Sequence, residues 1–216
     1  RNMEQAEVPR AVIGEALASA NFGRVLPFRF FAAAKAAPAL EEELSAAMTR
    51  CLAHAPRLPG RTLFLIDISG SMSGALSGKS TLDRIDAACA LAVLLREVAE
   101  EPVIYATAGS DLRQVHKTAL VPPRRGFALR DAVVGLNATL GGGGIFLTQA
   151  MAYVAAKERA PFARSIVFTD EQDCDNDSER ATSKAQTLAE HAYIINVAGY
   201  KTGVAAHGKW MRVSGF

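Results

Sequence analysis

The stretch from Thr62 to Ser73, TLFLIDISGSMS, constrains this chain more than any other. Its first half, Thr62 to Ile66, is a short apolar, β-rich run. That is the pattern of a strand buried on both faces in the middle of a parallel sheet. The character then changes abruptly, and Asp67, Ser69, Gly70, Ser71 and Ser73 follow in one small, oxygen-rich loop. Asp67-x-Ser69-x-Ser71 puts a carboxylate and two hydroxyls where a tight loop can aim them at a single point. Open α/β sheets bind ligands in the crevice beyond the carboxyl ends of their strands. A set of oxygens with no His or Cys suits a hard divalent cation such as Mg²⁺. The competing reading is a serine-rich turn with Asp67 capping the next helix.

Around this stretch the chain changes style. Residues 1–20, Phe30–Ala37 and Glu41–Ala55 have helical composition, with joints at Asn21–Gly23, Pro27, Pro38 and Pro56–Gly60. No strand pattern interrupts them, so residues 1–59 read as a helical appendage. From Arg61 strands and helices alternate, which gives a second unit over 60–216. After the strand at 62–67 comes a helix at about 82–99, whose Ile85, Ala88, Cys89, Ala92, Val93 and Leu95 keep a broad apolar face. A strand at Val103–Ala108 precedes a weaker extended segment around Gln114–Val121 that fits an antiparallel edge. Helices are expected at Arg130–Leu136, Thr148–Lys157 and about Glu179–His191, with strands at Ser165–Thr169 and Ala192–Val197. Such alternation argues for an α/β fold, a mostly parallel sheet covered by helices on both faces.

A cation site opened by Asp67 needs ligands from other loops at the same sheet edge. Ile166 to Asp170 is another buried strand ending in a carboxylate, and in a parallel sheet Asp67 and Asp170 emerge together. The glycines Gly141–Gly144 make the intervening loop flexible enough to carry a further hydroxyl, Thr148, inward.

Two other motifs compete for attention. Gly78-Lys79-Ser80 before a helix, with a later strand ending in Asp170 and Glu171, imitates a P-loop nucleotidase. A P-loop has four residues between its glycines; Gly74 stands one too close to Gly78, Gly70 several too far, and Lys79 lies twelve residues beyond Asp67. Asp173-x-Asp175-x-Asp177 imitates a calcium loop, but Ser178 and Lys184 stand where that loop needs Gly and Glu. It reads as a solvated acidic turn, with Asp177 or Ser178 capping the next helix and Glu179 in its first turn.

Half of the 216 residues are hydrophobic and 21% charged, which is normal for a globular chain with a real core. A formal charge of +2 is too small to argue for nucleic acid by itself. Cys51, Cys89 and Cys174 are odd in number and form no CxxC pair, so they read as reduced thiols of a cytoplasmic-type protein. The longest apolar run, Ala87–Leu95, is too short to span a bilayer. No signal peptide is visible, and a start without Met reads as a piece of a longer chain. His54, His116, His191 and His207 are scattered on expected surfaces, element ends and loops, and none pairs with Ser or Cys as base and nucleophile. An enzyme is not expected.

Asp-x-Ser-x-Ser directly after a buried strand resembles the metal-ion-dependent adhesion site of von Willebrand factor A domains. The resemblance implies a Rossmann-like fold and a cation held by Asp67, Ser69 and Ser71, a Thr from a glycine-bearing loop, and Asp170. The family's Thr commonly follows the glycines at once, whereas Ile145 stands there in this chain. Either a longer loop lets Thr148 take that role, or water does. The segment LPFRFFAAAKAAPALEEELSAAM (Leu26–Met48), the run IVFTDEQ and the closing Ile194–Phe216 narrow the likeness further. They resemble bacterial members of the Ro autoantigen, or TROVE, family, in which a ring of helical repeats joins an A domain, and RNMEQAEV resembles the end of that ring. The resemblance implies a parent that binds small noncoding Y RNAs on the ring, acts in RNA quality control and guides an exonuclease complex. Most of that ring is absent from this sequence.

Three functions follow. The first is a noncatalytic, Mg²⁺-binding interaction domain of a Ro-like RNA-binding protein, with Arg124, Arg125, Lys201, Lys209 and Arg212 more simply read as solvated surface than as RNA contacts. The second is a protein-adhesion domain whose cation is completed by an acidic partner. The third is a P-loop nucleotidase.

Overall fold

In the computed structural model, residues 3, 6–23, 25, 29–78, 80–175, 187–198 and 209–214 are described. Lys79, Asp177, Ser178, Glu179, Lys184, Lys201 and His207 lie outside these residues, as does most of the helix expected over 179–191; where that segment is described, 188–190 bend and His191 opens a strand.

Among the described residues the helices α1 (Arg10–Ser19), α2 (Arg29–Ala36) and α3 (Glu41–Cys51) precede the sheet. Pro38 breaks the chain between α2 and α3, where Pro38–Leu40 form a 3₁₀ turn. Then come β1 (Leu58–Asp67), α4 (Arg84–Val98), β2 (Ala99–Ser110) and β3 (Val115–Leu120). The described residues then give α5 (Gly126–Gly135), α6 (Asn137–Leu140), α7 (Leu147–Lys157), β4 (Arg164–Thr169), β5 (His191–Asn196) and β6 (Met211–Val213). The strands form a six-stranded sheet ordered β3-β2-β1-β4-β5-β6. All neighbours run parallel except β3, which pairs antiparallel with β2 at one edge.

Alternation along the strands decides which residues face which helices. Phe64 and Ile66 of β1, with Ile104, Ile166 and Phe168, bury against Ala88, Cys89, Ala92 and Val93 of α4 and Phe127 and Val133 of α5. Leu63 and Leu65, with Tyr105, Val167 and Ile194, bury on the other face against Leu147, Ala150, Met151 and Val154 of α7. The sheet is therefore covered on both sides, a von Willebrand A-like arrangement.

The N-terminal helices share the first of these cores. Phe30, Phe31, Leu44 and Met48 belong to it, and Phe31 meets Phe127 edge-on at 4.8 Å. β1 begins at Leu58, which pairs with Ala99, and its register shifts between Leu58 and Arg61, where the boundary between residues 59 and 60 is expected. Helix α4 is started by a reciprocal capping box: Asp83 accepts from the helix backbone while Asp86 accepts from the Asp83 N–H at 3.3 Å.

Candidate metal centre

The site is set by register. Asp67 closes β1 opposite Thr107 of β2. The pairing of Ile66 with Phe168 puts it beside Thr169 of β4, and Thr169 is level with Asn196 of β5. Thr107, Asp67, Thr169 and Asn196 are all fully buried and make a polar row across the carboxyl ends of four strands. A carboxylate in such a place must find donors. The Ser69 N–H gives one at 2.8 Å and the Thr169 hydroxyl a second at 2.6 Å. Both donors are neutral, and among the described residues Asp67 has no salt-bridge partner. Burial therefore pushes its pKa up to about 7; the Thr169 and Ser69 bonds oppose the rise, and the charge of Asp170 adds to it.

Beyond Asp67 the chain enters a 3₁₀ turn, Gly70–Ser73, anchored by fully buried Met72. This turn sets the Ser69 and Ser71 hydroxyls 3.2 Å apart. The glycine loop docks against it, with the Gly70 N–H donating to the Gly143 carbonyl at 3.3 Å. A Cβ on Gly70 would lie 2.7 Å from the Gly142 carbonyl oxygen, so the close approach needs glycine there.

Asp170 emerges fully buried at the same edge, as the sequence implied, but its charge is engaged. Arg84, the first residue of α4, places Nη1 2.9 Å from Asp170 Oδ2, and the other carboxylate oxygen accepts from the Gln172 N–H at 3.3 Å. Thr148 stands in the first turn of α7, half-buried, its backbone N–H donating to Asp175 Oδ2 at 2.7 Å. Ile145, in the position where the A-domain pattern has Thr, is instead fully buried in the core under α7. The threonine bonded to Asp67 is instead Thr169, which no motif in the sequence marks.

The acidic turn after β4 differs from its expected form. Asp173 and Asp175 are drawn against the start of α7, where Asp173 accepts from the Leu147 N–H at 3.3 Å. Gln149 donates to Asp175 at 3.0 Å. Asp175 is buried, and burial pushes the Asp173 carboxyl up to about 6. Helix N-termini offer unsatisfied N–H groups, and this loop fills them rather than facing solvent. His116, expected at a surface, is half-buried, with Nδ1 2.9 Å from the Thr118 hydroxyl and its pKa lowered by burial. Between β1 and α4 the backbone makes the 3₁₀ turn and then a closed excursion, the Leu76 N–H donating to the Leu82 carbonyl at 3.0 Å.

Among the described residues no three His, Cys, Asp or Glu side chains converge to hold a metal by themselves. The donor set is thus hydroxyl-rich. Asp67 keeps lone pairs beyond its donors, the Ser69 side chain bears on it, and the Ser71 hydroxyl lies 3.2 Å from that of Ser69, which fits a hard cation. Asp170 stands at the same edge with its Oδ2 shared with the Arg84 guanidinium.

No protein-family model and no curated protein sequence matches the chain. Among solved structures it is similar to the Ro (RSR) protein of Deinococcus radiodurans, with a TM-score of 0.55, 18% identity and 83% of this chain covered. The match spans 36% of that longer chain. A second likeness, at TM-score 0.47 and 15% identity, is to an aerotolerance-related membrane protein of Bacteroides fragilis carrying multiple mutations to serine. That match covers 64% of this chain and 67% of the other. The first likeness supports the A-like fold read from the strand order. No helix among the described residues is long and apolar enough to cross a membrane.

Proposed function

We propose that the chain is a noncatalytic, divalent-cation-binding interaction domain of a Ro-like protein. The observation that carries this reading is Asp67: a buried carboxylate with neutral donors only, in a strand-end crevice beside two hydroxyls 3.2 Å apart. Asp67, Ser69 and Ser71 would hold the ion, with Asp170 and Thr148 as the further candidates from neighbouring loops. Mg²⁺ suits the oxygen donors, and a bound ion would offer an acidic group on a partner a Lewis-acidic seat. In this reading the RNA role belongs to a longer parent with its helical ring, in the cytoplasm, where Y RNA or another small noncoding RNA and an exonuclease complex are the partners. By itself the chain binds RNA weakly, because phosphate contacts dominate such affinity and its net charge is only +2.

Calorimetry with Mg²⁺ tests the centre. Saturable binding by the wild type and none by Asp67→Ala is expected, while equal binding by both reduces the site to a serine-rich turn. A pull-down with and without RNase separates RNA-bridged partners from direct adhesion through an acidic group. Tight, structured-RNA-specific retention on a filter at physiological salt would overturn the division of labour between domain and ring.

A further inference from the structure

We propose that Arg84 is the built-in counter-cation of the centre, so that a divalent ion gains Asp170 only by displacing the Arg84 guanidinium. This inference rests on reading the centre as a cation site. The contacts are specific. Arg84 Nη1 lies 2.9 Å from Asp170 Oδ2 and 3.0 Å from the Ser71 carbonyl oxygen, and one nitrogen thus joins the loop after β1 to the loop after β4. The side chain is only 16% exposed and Asp170 is fully buried, so the pair is shielded from solvent competition.

The surrounding loop is shaped to hold that guanidinium. The Arg84 N–H donates to the Gly74 carbonyl at 3.0 Å, and the Leu76 N–H to the Leu82 carbonyl at the same distance, which closes the 74–84 excursion onto the arginine. A Cβ on Gly74 would stand 3.2 Å from Arg84 Cζ and 3.4 Å from Nη1, so a side chain there would press on the charged group. Arg84 also opens α4, whose capping box fixes where the side chain leaves the helix.

The two carboxylates of the crevice are therefore unequal. Asp67 is presented with the serine hydroxyls and neutral donors, whereas Asp170 is already neutralised by a fixed cation. Two like charges in one crevice are relieved by an intervening positive charge or by a proton on one of them. Arg84 supplies half of that relief from within the chain. It should hold the loops together in the absence of divalent ions, and it should weaken their binding by competing for Asp170.

Titrating Mn²⁺ by calorimetry into the wild type, Arg84→Gln, Arg84→Lys and Asp170→Asn, with thermal unfolding followed in parallel, tests the proposal. Arg84→Gln should bind Mn²⁺ at least about tenfold more tightly than the wild type, because a buried carboxylate left without its cation gains most from a new one. Without metal this variant should melt below the wild type, and Mn²⁺ should restore it. Arg84→Lys should stay near wild-type affinity, and Asp170→Asn should lose the sensitivity to residue 84 when combined with Arg84→Gln. If Arg84→Gln binds Mn²⁺ no more tightly than the wild type while Asp67→Ala binds none, the centre stands and the counter-cation role falls. If neither the wild type nor Arg84→Gln binds Mn²⁺, both readings fall together.

Discussion

Asp67 and Asp86 are both aspartates taken out of water, and the protein treats them in opposite ways. Asp86, in the first turn of α4, is met by Lys35 Nζ at 2.8 Å and Arg130 Nη2 at 2.9 Å. Burial pushes its pKa up, yet the hydrogen bonds from Lys35 and Arg130 outweigh that and hold it below the ordinary value of 3.8. Among the described residues Asp67 meets neutral donors from Ser69 and Thr169, and burial carries it from 3.8 to about 7. Burial alone does not decide the state of a carboxylate; the charge of its neighbours does. Asp86 is a completed ionic tie between α2, α4 and α5. Asp67 is an electrostatic deficit at a crevice, which is what a cation centre needs.

The pH dependence of stability is the widest-reaching way to break this contrast. A group whose folded pKa is raised contributes stability below its unfolded value and loses it as pH rises through the folded value. For Asp67 that window runs from about 3.8 to about 7. Asp67→Asn should therefore be more stable than the wild type in chelator at pH 8, by as much as a few kcal/mol, with the gain shrinking steadily toward pH 4. Asp86 has the opposite sign: its contribution is present above 3.8 and is lost as pH falls through its lowered folded value. Urea unfolding of wild type and Asp67→Asn across pH 4–8 reads the Asp67 limb, and carrying the wild type and Asp86→Ala down to pH 2 reads the Asp86 limb. A gain that is flat with pH would mean that Asp67 stays ionised and pairs with a cation already in the protein.

Asp86→Ala should be the second-largest effect. It removes the acceptor for Lys35, for Arg130 and for the Asp83 N–H that starts α4. Lys35 and Arg130 are 42% and 36% exposed and can return to water, so the loss should be about 2 kcal/mol rather than that of a sealed pair. Denaturant unfolding at pH 7 checks it. A loss much below this would place the weight of the α2 contact on Phe31 and Phe127 instead.

These two aspartates also show what the sequence could reveal. Asp67 was legible because a buried strand ends there and hydroxyls follow at fixed spacing within the same loop. Asp170 was legible for the same reason, as a second apolar strand ending in a carboxylate. Arg84 and Thr169 were not. Arg84 reads as a helix start 86 residues before Asp170, and only the fold closes that distance. Thr169 reads as ordinary strand composition until the Ile66–Phe168 register puts it beside Asp67. The Asp173 and Asp175 turn looked solvated because capping of α7 is a tertiary event, invisible in local spacing. β6 has no signature in the sequence because its three exposed residues, Met211–Val213, carry no burial pattern. Lys35 and Arg130 likewise gave no sign that they share Asp86.

A third test asks whether a divalent ion changes one aspartate and not the other. At pH 8, Mg²⁺ at ten times its dissociation constant should stabilise the wild type by about 1.4 kcal/mol through binding to the folded state alone. Asp86→Ala should keep that increment, since Asp86 pairs with α2 and α5 on the opposite side of α4's first turn from the crevice contacts of Arg84. Asp67→Asn should lose it. Thermal unfolding with and without Mg²⁺ measures all three, and an equal shift in Asp67→Asn would move the ion away from the strand ends.

The smallest effect should come from Lys35→Ala, and it sharpens what holds Asp86. Lys35 is the more exposed of the two cations and also lies 3.6 Å from Asp83, whose side chain is itself 45% exposed. An exposed ammonium exchanges much of its pairing energy for hydration, so its removal should cost only about 0.5–1 kcal/mol. Arg130 would remain against Asp86 and keep the carboxylate ionised at neutral pH. What should change is the acid limb: with one hydrogen bond fewer, the folded pKa of Asp86 moves back toward 3.8, and stability lost on acidification falls in size. Urea unfolding of Lys35→Ala at pH 7 and pH 3 reads both consequences. If Lys35→Ala is as damaging as Asp86→Ala, Arg130 contributes little, and the tie between the N-terminal helices and the sheet domain rests on the lysine alone.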